Sequence, residues 1–178
     1  MNETILKSSH KTETNDGVLR LADVEPASVA GLLANYGLIF KTVAAGNEIP
    51  GSFWGDEEAG LIGNELLVRA DTPLHSILHE ACHYVCLDQA RRDGLHTDAG
   101  GDYDEENAVC YLQILLADHI EHFGRSRMFK DMDRWGYTFR LGSAQAWFER
   151  DADDALNWLS QRNLINKQQE PNWTLRKD

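Results

Sequence analysis

The sequence has no excess of positive charge and no long apolar run. Lysine and arginine number 17 against 29 aspartate and glutamate residues, which gives a formal net charge of −12. A chain this acidic repels phosphate backbones and anionic membrane surfaces, and no stretch approaches the roughly 20 apolar residues that cross a bilayer. Residues 1–16 also lack the apolar region of a secretory signal. We therefore expect a cytoplasmic protein with neither nucleic-acid nor membrane partners.

Cysteine is also scarce. The three cysteines, Cys82, Cys86 and Cys110, are an odd number set within apolar segments, a pattern typical of reduced, buried thiols rather than of a disulfide framework. With 178 residues, 42% of them hydrophobic, the chain is long enough for one domain with a real core and too short for two. We predict a flexible N-terminal tail over residues 1–16 and a single domain over residues 17–178.

The remaining pattern predicts an α+β fold with a small sheet and about four helices. Proline, serine and glycine at the ends of apolar-periodic segments mark helix boundaries, and β-branched or aromatic runs mark strands. The predicted helices cover residues 25–37, 73–92, 105–123 and 143–161, the last capped by Ser143. The predicted strands cover residues 38–44 and 61–70, with a bend at Gly63 and Asn64, and residues 135–142 form a strand or an extended connection.

The second of these helices carries a motif with metal-binding chemistry. His79-Glu80-Ala81-Cys82-His83 is an H-E-x-x-H sequence, and a separation of four residues on a helix puts both imidazoles on one face, where they can bind one metal ion. Glu80 lies about 100° around the helix from His79. It is therefore placed beside the metal, where a carboxylate can take a proton from water as a general base.

A catalytic zinc usually has a third protein ligand. His75 shares the helix face but lies about 12 Å along the axis from His83, too far for a compact site. We interpret it as a rim or substrate-pocket residue, or as a solvated or core-edge histidine. Glu105 lies near the centre of the apolar face of the third helix, where a carboxylate needs a partner, while Glu106 falls toward the edge. We expect Glu105 to be the ligand. A thiolate of Cys86 or Cys110 is a weaker alternative.

An H-E-x-x-H motif followed by a helix that begins with Glu105-Glu106-Asn107-Ala108 resembles the gluzincin group of zinc metallopeptidases, in which the downstream ligand is often written E-x-x-A. The resemblance implies a zincin-like single domain with the motif on a central helix. It also implies a Zn²⁺ held by His79, His83 and Glu105, and a peptide or protein substrate. Val109 stands where many such families have an Asp or Asn, so the partner that orients a ligand histidine is not identified.

Tyr84 and the Ala90-Arg91-Arg92 triplet give the same region a second resemblance, to the bacterial elongation factor P hydroxylase family. This resemblance implies Fe²⁺ and oxygen chemistry on the same histidines. A third hypothesis is a metal that only stabilises a non-catalytic protein. Hydrolysis of an amide also needs a hydrogen-bond donor that stabilises the developing oxyanion. The sequence does not single out one donor among the candidates Tyr103, Tyr111, Tyr137, His96, His119 and Arg140.

Overall fold

The computed structural model describes residues 17–178, so the predicted N-terminal tail lies outside the described residues. The described residues form a mixed α+β fold with one three-stranded sheet and seven α-helices. The helices are α1 (Pro26–Ala34), α2 (Leu74–Cys86), α3 (Gln89–Asp93), α4 (Tyr103–Ala117), α5 (Gly124–Trp135), α6 (Ala144–Arg150) and α7 (Asp153–Gln161). None of these helices has the length and apolar character needed to cross a membrane. The α+β class is thus confirmed, with more helices than the four expected.

The sheet consists of three short strands in the order β1-β3-β2, with β1 at Ile39–Thr42, β2 at Gly60–Ile62 and β3 at Glu65–Val68. β1 pairs in parallel with β3, while β2 and β3 form an antiparallel hairpin. The sequence predicted one bent strand over residues 61–70, and this was wrong. Gly63 has φ +57°, which a glycine tolerates at the first position of a tight hairpin turn, so the chain reverses at Gly63 and Asn64 instead of bending.

Two of the predicted helices are each divided into two. The predicted helix over residues 73–92 ends at Cys86, because Leu87 takes an extended conformation and Asp88 caps a new helix by accepting a hydrogen bond from the backbone N–H of Arg91. The predicted helix over residues 143–161 begins after a Ser143 cap as expected, and it is interrupted between α6 and α7. The side-chain cap at Asp88 therefore begins a new helix at a point where apolar periodicity alone predicts that the first helix continues.

The core is one cluster of apolar side chains, with α4 near its centre. α4 packs against α2, α5 and α7, and each residue from Asn107 to Ala117 is buried. α2 lies between α4 and the sheet, and it too is buried along its whole length. The two helices that carry the predicted metal ligands are thus neighbours in the interior of the protein.

The last residues of the chain cross the ends of the two central helices. The backbone N–H of Arg176 donates to the carbonyl of Val85 at 3.0 Å, and Nη2 of Arg92 donates to the carbonyl of Arg176 at 2.6 Å. The side chain of Arg176 also donates to the carbonyl of Cys86 and to the carboxylate of Glu105. This segment therefore connects the C-terminal end of α2 to the first turn of α4.

Candidate metal centre

The two motif histidines lie one turn apart on the face of α2 that is turned toward α4. Their ring centroids are 4.7 Å apart with the rings nearly perpendicular, and the two Nε2 atoms are 3.1 Å apart. Only 3% of the His79 side chain and 11% of the His83 side chain are exposed. The four-residue spacing thus brings both Nε2 atoms to one point, as the motif predicts.

The third group at this point is the carboxylate of Glu106. Its Oε1 lies 3.2 Å from Nε2 of His79, and its Oε2 lies 3.2 Å from Nε2 of His83. Two atoms bound to one tetrahedral metal at about 2.0–2.1 Å are separated by about 3.3 Å. The two nitrogens are thus close to this separation, each has a Glu106 oxygen at a similar distance, and one ligand atom from each of the three residues lies within 4.8 Å of the other two. Two imidazoles with one carboxylate are a donor set that suits Zn²⁺ and Fe²⁺.

We expected Glu105 to meet the histidines, but in the structure Glu106 does so and Glu105 contacts two arginines instead. The carboxylate of Glu105 accepts hydrogen bonds from Nη1 and Nη2 of Arg91 at 3.0 and 2.6 Å, and from Nη1 of Arg176 at 3.2 Å. The assignment from helical phase assumed that α4 buries one face. Because α4 is buried on all sides, the apolar face does not mark the direction of α2, and the carboxylate about 100° further round is the one that reaches the histidines.

Gln113 fixes the orientation of the His79 ring. Its amide Nε2 donates to the carbonyl of His75 at 3.3 Å, so its Oε1 faces the imidazole at 2.7 Å from Nδ1 of His79. Nδ1 of His79 is therefore the protonated nitrogen and donates to the amide, which leaves a lone pair on Nε2 toward Glu106 and His83. Such a partner for a ligand histidine is typical of protein metal sites.

Gln113 was not predicted from the sequence, because the partner that orients a ligand histidine was expected directly after Ala108. The signal was present, because Gln113 follows Glu106 by seven residues. Two turns of helix return the chain to nearly the same direction, so both side chains project toward α2. A glutamine in an otherwise apolar run, one heptad after a carboxylate, is the pattern that indicates this pairing.

The electrostatics of the centre favour an ionised carboxylate. Burial by itself raises the pKa of Glu106, but when no metal is bound and the two imidazoles are protonated, the charges and hydrogen bonds of His79 and His83 outweigh burial and hold this pKa well below its ordinary value. Part of the Glu106 side chain, 30%, is exposed. The centre is therefore reached by solvent from the Glu106 side, while His79 closes the inner side.

The other predicted residues take distinct places around this centre. Glu80, the predicted general base, is buried on α2 directly after His79. His75 is fully buried, with Nδ1 at 3.2 Å from the hydroxyl of Tyr137 and the ring against Trp135. His75 is therefore neither a rim residue nor a member of the cluster of His79, His83 and Glu106, which we call the triad. Tyr137 also has its ring against that of His79, so it is the one oxyanion-donor candidate placed in contact with a triad residue by these ring contacts.

The cysteines behave as the sequence predicted. All three are free and fully buried, and burial is the main cause that raises the pKa of Cys82 and of Cys86 above that of an ordinary thiol. A raised pKa disfavours the thiolate, the form that binds metals. Neither Cys86 nor Cys110 is part of the cluster formed by His79, His83 and Glu106 in the described residues.

Comparisons of the chain with protein families, with curated proteins and with solved structures find no match. The two family resemblances therefore rest on the motif residues alone. The functional conclusion therefore depends on the geometry of His79, His83 and Glu106.

Proposed function

We propose that this protein is a metal-dependent hydrolase of the metallopeptidase type, with His79, His83 and Glu106 as ligands and Zn²⁺ as the metal. The observation that carries the proposal is the meeting of two imidazole nitrogens 3.1 Å apart with one carboxylate, of which Oε1 lies 3.2 Å from His79 and Oε2 lies 3.2 Å from His83. His79 closes this centre on one side and Glu106 opens it on the other. A zinc ion in such a centre polarises a carbonyl and lowers the pKa of a water molecule.

Glu80 then carries the proton through the reaction. It accepts a proton from the attacking water as the water oxygen bonds to the amide carbon. It returns a proton to the nitrogen as the carbon–nitrogen bond breaks, so that the products are one carboxylic acid and one amine. Glu80 is buried directly after His79 on α2, which puts it next to a proposed ligand and supports this role.

Replacing Glu80 by Gln tests the proposal. We expect Glu80→Gln to bind zinc as the wild type does and to lose peptide hydrolysis by about 100-fold or more, since a general base is removed while the ligands stay. Metal content is measured by elemental analysis, and cleavage of a mixed peptide library by mass spectrometry of the new termini. The matched control is Glu121→Gln, which changes a carboxylate whose side chain is 83% exposed and should cleave as the wild type does.

Two outcomes would contradict this assignment. Loss of zinc from Glu80→Gln would make Glu80 part of the binding set, and undiminished cleavage would leave the reaction without its proposed base.

A second candidate function is favoured by the donor set itself. Two histidines and one carboxylate are also the ligands of non-haem Fe²⁺ oxygenases, which agrees with the resemblance to the elongation factor P hydroxylase family. A hydroxylase would insert one atom of O₂ into a C–H bond of a protein substrate, while two electrons from an external reductant and two protons convert the other atom to water, and it would leave the peptide bonds intact. Purification with tightly bound iron, together with an oxygen-dependent mass gain and no new termini, would favour it over the hydrolase. A protein that binds metal and does neither would have a structural metal.

A further inference from the structure

A cavity of about 200 Å³ is lined in part by Asp102 and Glu105 at the start of α4, and the next residue, Glu106, belongs to the candidate metal centre. Its walls include three arginines, Arg91, Arg162 and Arg176, together with the indole of Trp158 and the carboxylate of Glu105. Glu105 and Glu106 are consecutive residues in the first turn of α4. The carboxylate of Glu105 lines the cavity, and that of Glu106 meets the histidines. Three guanidiniums in one cavity are unusual for a chain with a net charge of −12.

Arg162 lies at this cavity and contacts Trp158, without a carboxylate partner among the described residues. Its guanidinium carbon lies 3.8 Å from the centroid of the Trp158 ring, and its Nη1 donates to the backbone carbonyl of Trp158 at 3.3 Å. Within residues 17–178 it forms no ion pair, and its Nε is buried with no hydrogen-bond partner. A buried donor without a partner is costly, so the hydrogen bonding of this guanidinium at the cavity wall is incomplete within the described residues.

The other two arginines are already neutralised. Arg91 is paired with Glu105 and with Asp88, and Arg176 is paired with Glu105 and with Asp178. Arg176 also lies over the Trp158 ring, with its guanidinium carbon at 5.3 Å from the centroid. The guanidinium of Arg162 has no carboxylate partner and can bind a ligand with a single negative charge, whereas a phosphate dianion would be repelled more strongly by Asp102 and Glu105, which both line the cavity.

We propose that this cavity binds the carboxylate of a ligand, with Arg162 as its main partner. A guanidinium donates two parallel hydrogen bonds to a carboxylate, and stacking on Trp158 already fixes the plane of Arg162 for this contact. In terms of the proposed function, on which this step rests, the ligand is a peptide substrate whose free C-terminal carboxylate is held beside α4. The substrate class is then peptides with a free C-terminus.

The binding test needs no catalysis. The full chain, kept metal-free with a chelator, is titrated with N-acetyl-glycyl-alanine and with the matched C-terminal amide, while the indole NMR signal of Trp158 is followed after its assignment with Trp158→Phe. We expect the acid to shift this signal and the amide to leave it unchanged. Arg162→Gln should weaken binding of the acid by about 10-fold or more, while Arg125→Gln, an exposed arginine paired with Asp118, should bind as the wild type does.

Several results would overturn the assignment. These are equal binding of acid and amide, no shift with either, or undiminished binding by Arg162→Gln. A parallel titration with inorganic phosphate covers the other anion, and a shift with phosphate but not with the acid would also reject the carboxylate. Arg162→Lys keeps the charge without the planar donor pair, so it should bind more weakly than the wild type and more tightly than Arg162→Gln; it replaces Arg162→Gln if the latter does not fold.

A kinetic arm links the cavity to the metal centre. For a peptide cleaved by the wild type, Arg162→Gln should raise KM by about 10-fold for the free acid, with little change in kcat, and it should leave the C-terminal amide unaffected. An unchanged KM would show that the cavity serves no substrate. If the wild type cleaves no peptide, the proposed function fails, and the NMR titration still decides whether the cavity binds carboxylates.

Discussion

Glu105 and Glu106 are adjacent residues of the same type with different surroundings. Glu106 meets two imidazole nitrogens, while Glu105 is buried against two guanidiniums and packs closely on Gly101. A Cβ at Gly101 would lie 2.7 Å from Oε1 of Glu105, and the φ of this residue is +110°, so a glycine is required where the loop passes the carboxylate. One residue thus offers a ligand atom and its neighbour anchors the helix that carries it.

The two carboxylates should therefore separate affinity from stability. We expect Glu106→Gln to lower zinc affinity by about 100-fold or more, because a ligand is lost, whereas loss of a ligand's partner alone costs about 10–100-fold. Glu105→Gln should bind zinc nearly as the wild type does and lose about 1–3 kcal/mol of unfolding free energy, less than for a fully buried pair because Arg91 is 32% exposed. Calorimetric zinc titration and urea denaturation measure the two effects.

A reversed result, with affinity lost only in Glu105→Gln, would restore the ligand set predicted from helical phase. It would also require α4 to turn by about 100° from the arrangement described above.

Gln113 acts on the metal centre through His79. Replacing it by Leu removes the acceptor for Nδ1–H, so the tautomer with a lone pair on Nε2 is no longer favoured, and zinc affinity should fall by about 10–100-fold. Gln113→Glu restores an acceptor and should retain most of the affinity. NMR of the imidazole nitrogens of His79 reports the tautomer directly, and an unchanged tautomer in Gln113→Leu would show that the amide does not set it.

At the scale of elements, the sequence predicted those features that depend on local chemistry. Pro26 begins α1, and Ser143 caps α6, because both preferences come from the backbone at the helix start. The sequence did not show the Gly63 reversal, the break after Cys86 or the helix α5. α5 has only four buried residues, Met128, Phe129, Asp131 and Met132, too few for apolar periodicity to stand out.

The candidate metal site was also predictable only where it depends on local sequence. The spacing of His79 and His83 is set within one helix and was visible in the sequence. The choice between Glu105 and Glu106 depends on how α4 is rotated against α2, and this rotation is set by packing on three sides and by the ion pairs of Glu105. These contacts join residues up to 71 positions apart, so no local pattern contains them.

The start of α4 is therefore the element whose stability matters most for the site. The Asp102 side chain accepts a hydrogen bond from the backbone N–H of Glu105 at 2.9 Å. Asp102→Ala should cost about 0.5–2 kcal/mol of unfolding free energy, and Asp102→Asn, which keeps an acceptor oxygen, should cost little. Hydrogen exchange of the first amides of α4 measures local fraying, and equal exchange in both variants would show that this cap does not hold the turn.

At the scale of the whole molecule, the proposed metal joins two segments that the chain separates by a loop and a short helix. The ligands come from α2 and α4, which lie side by side only in the folded core. The unfolded chain has no preformed site, so the free energy of metal binding adds to the stability of the fold. Mass action gives the size of this stabilisation. It is measured by comparing the unfolding of the wild-type chain in zinc with its unfolding in chelator.

Zinc at about 100 times its Kd should stabilise the fold by about 2.7 kcal/mol, which for a chain of this length raises Tm by about 5–10 °C. Thermal unfolding with zinc and with chelator measures the shift. His83→Ala should show no shift, because it removes a ligand, whereas His75→Ala keeps the triad of His79, His83 and Glu106 and should show nearly the full shift from a lower starting Tm. An equal shift in His83→Ala would mean that zinc binds elsewhere on this acidic chain. No shift in the wild type would exclude a zinc site coupled to folding. The same assay with Fe²⁺ would then show whether the two imidazoles and the carboxylate bind iron instead.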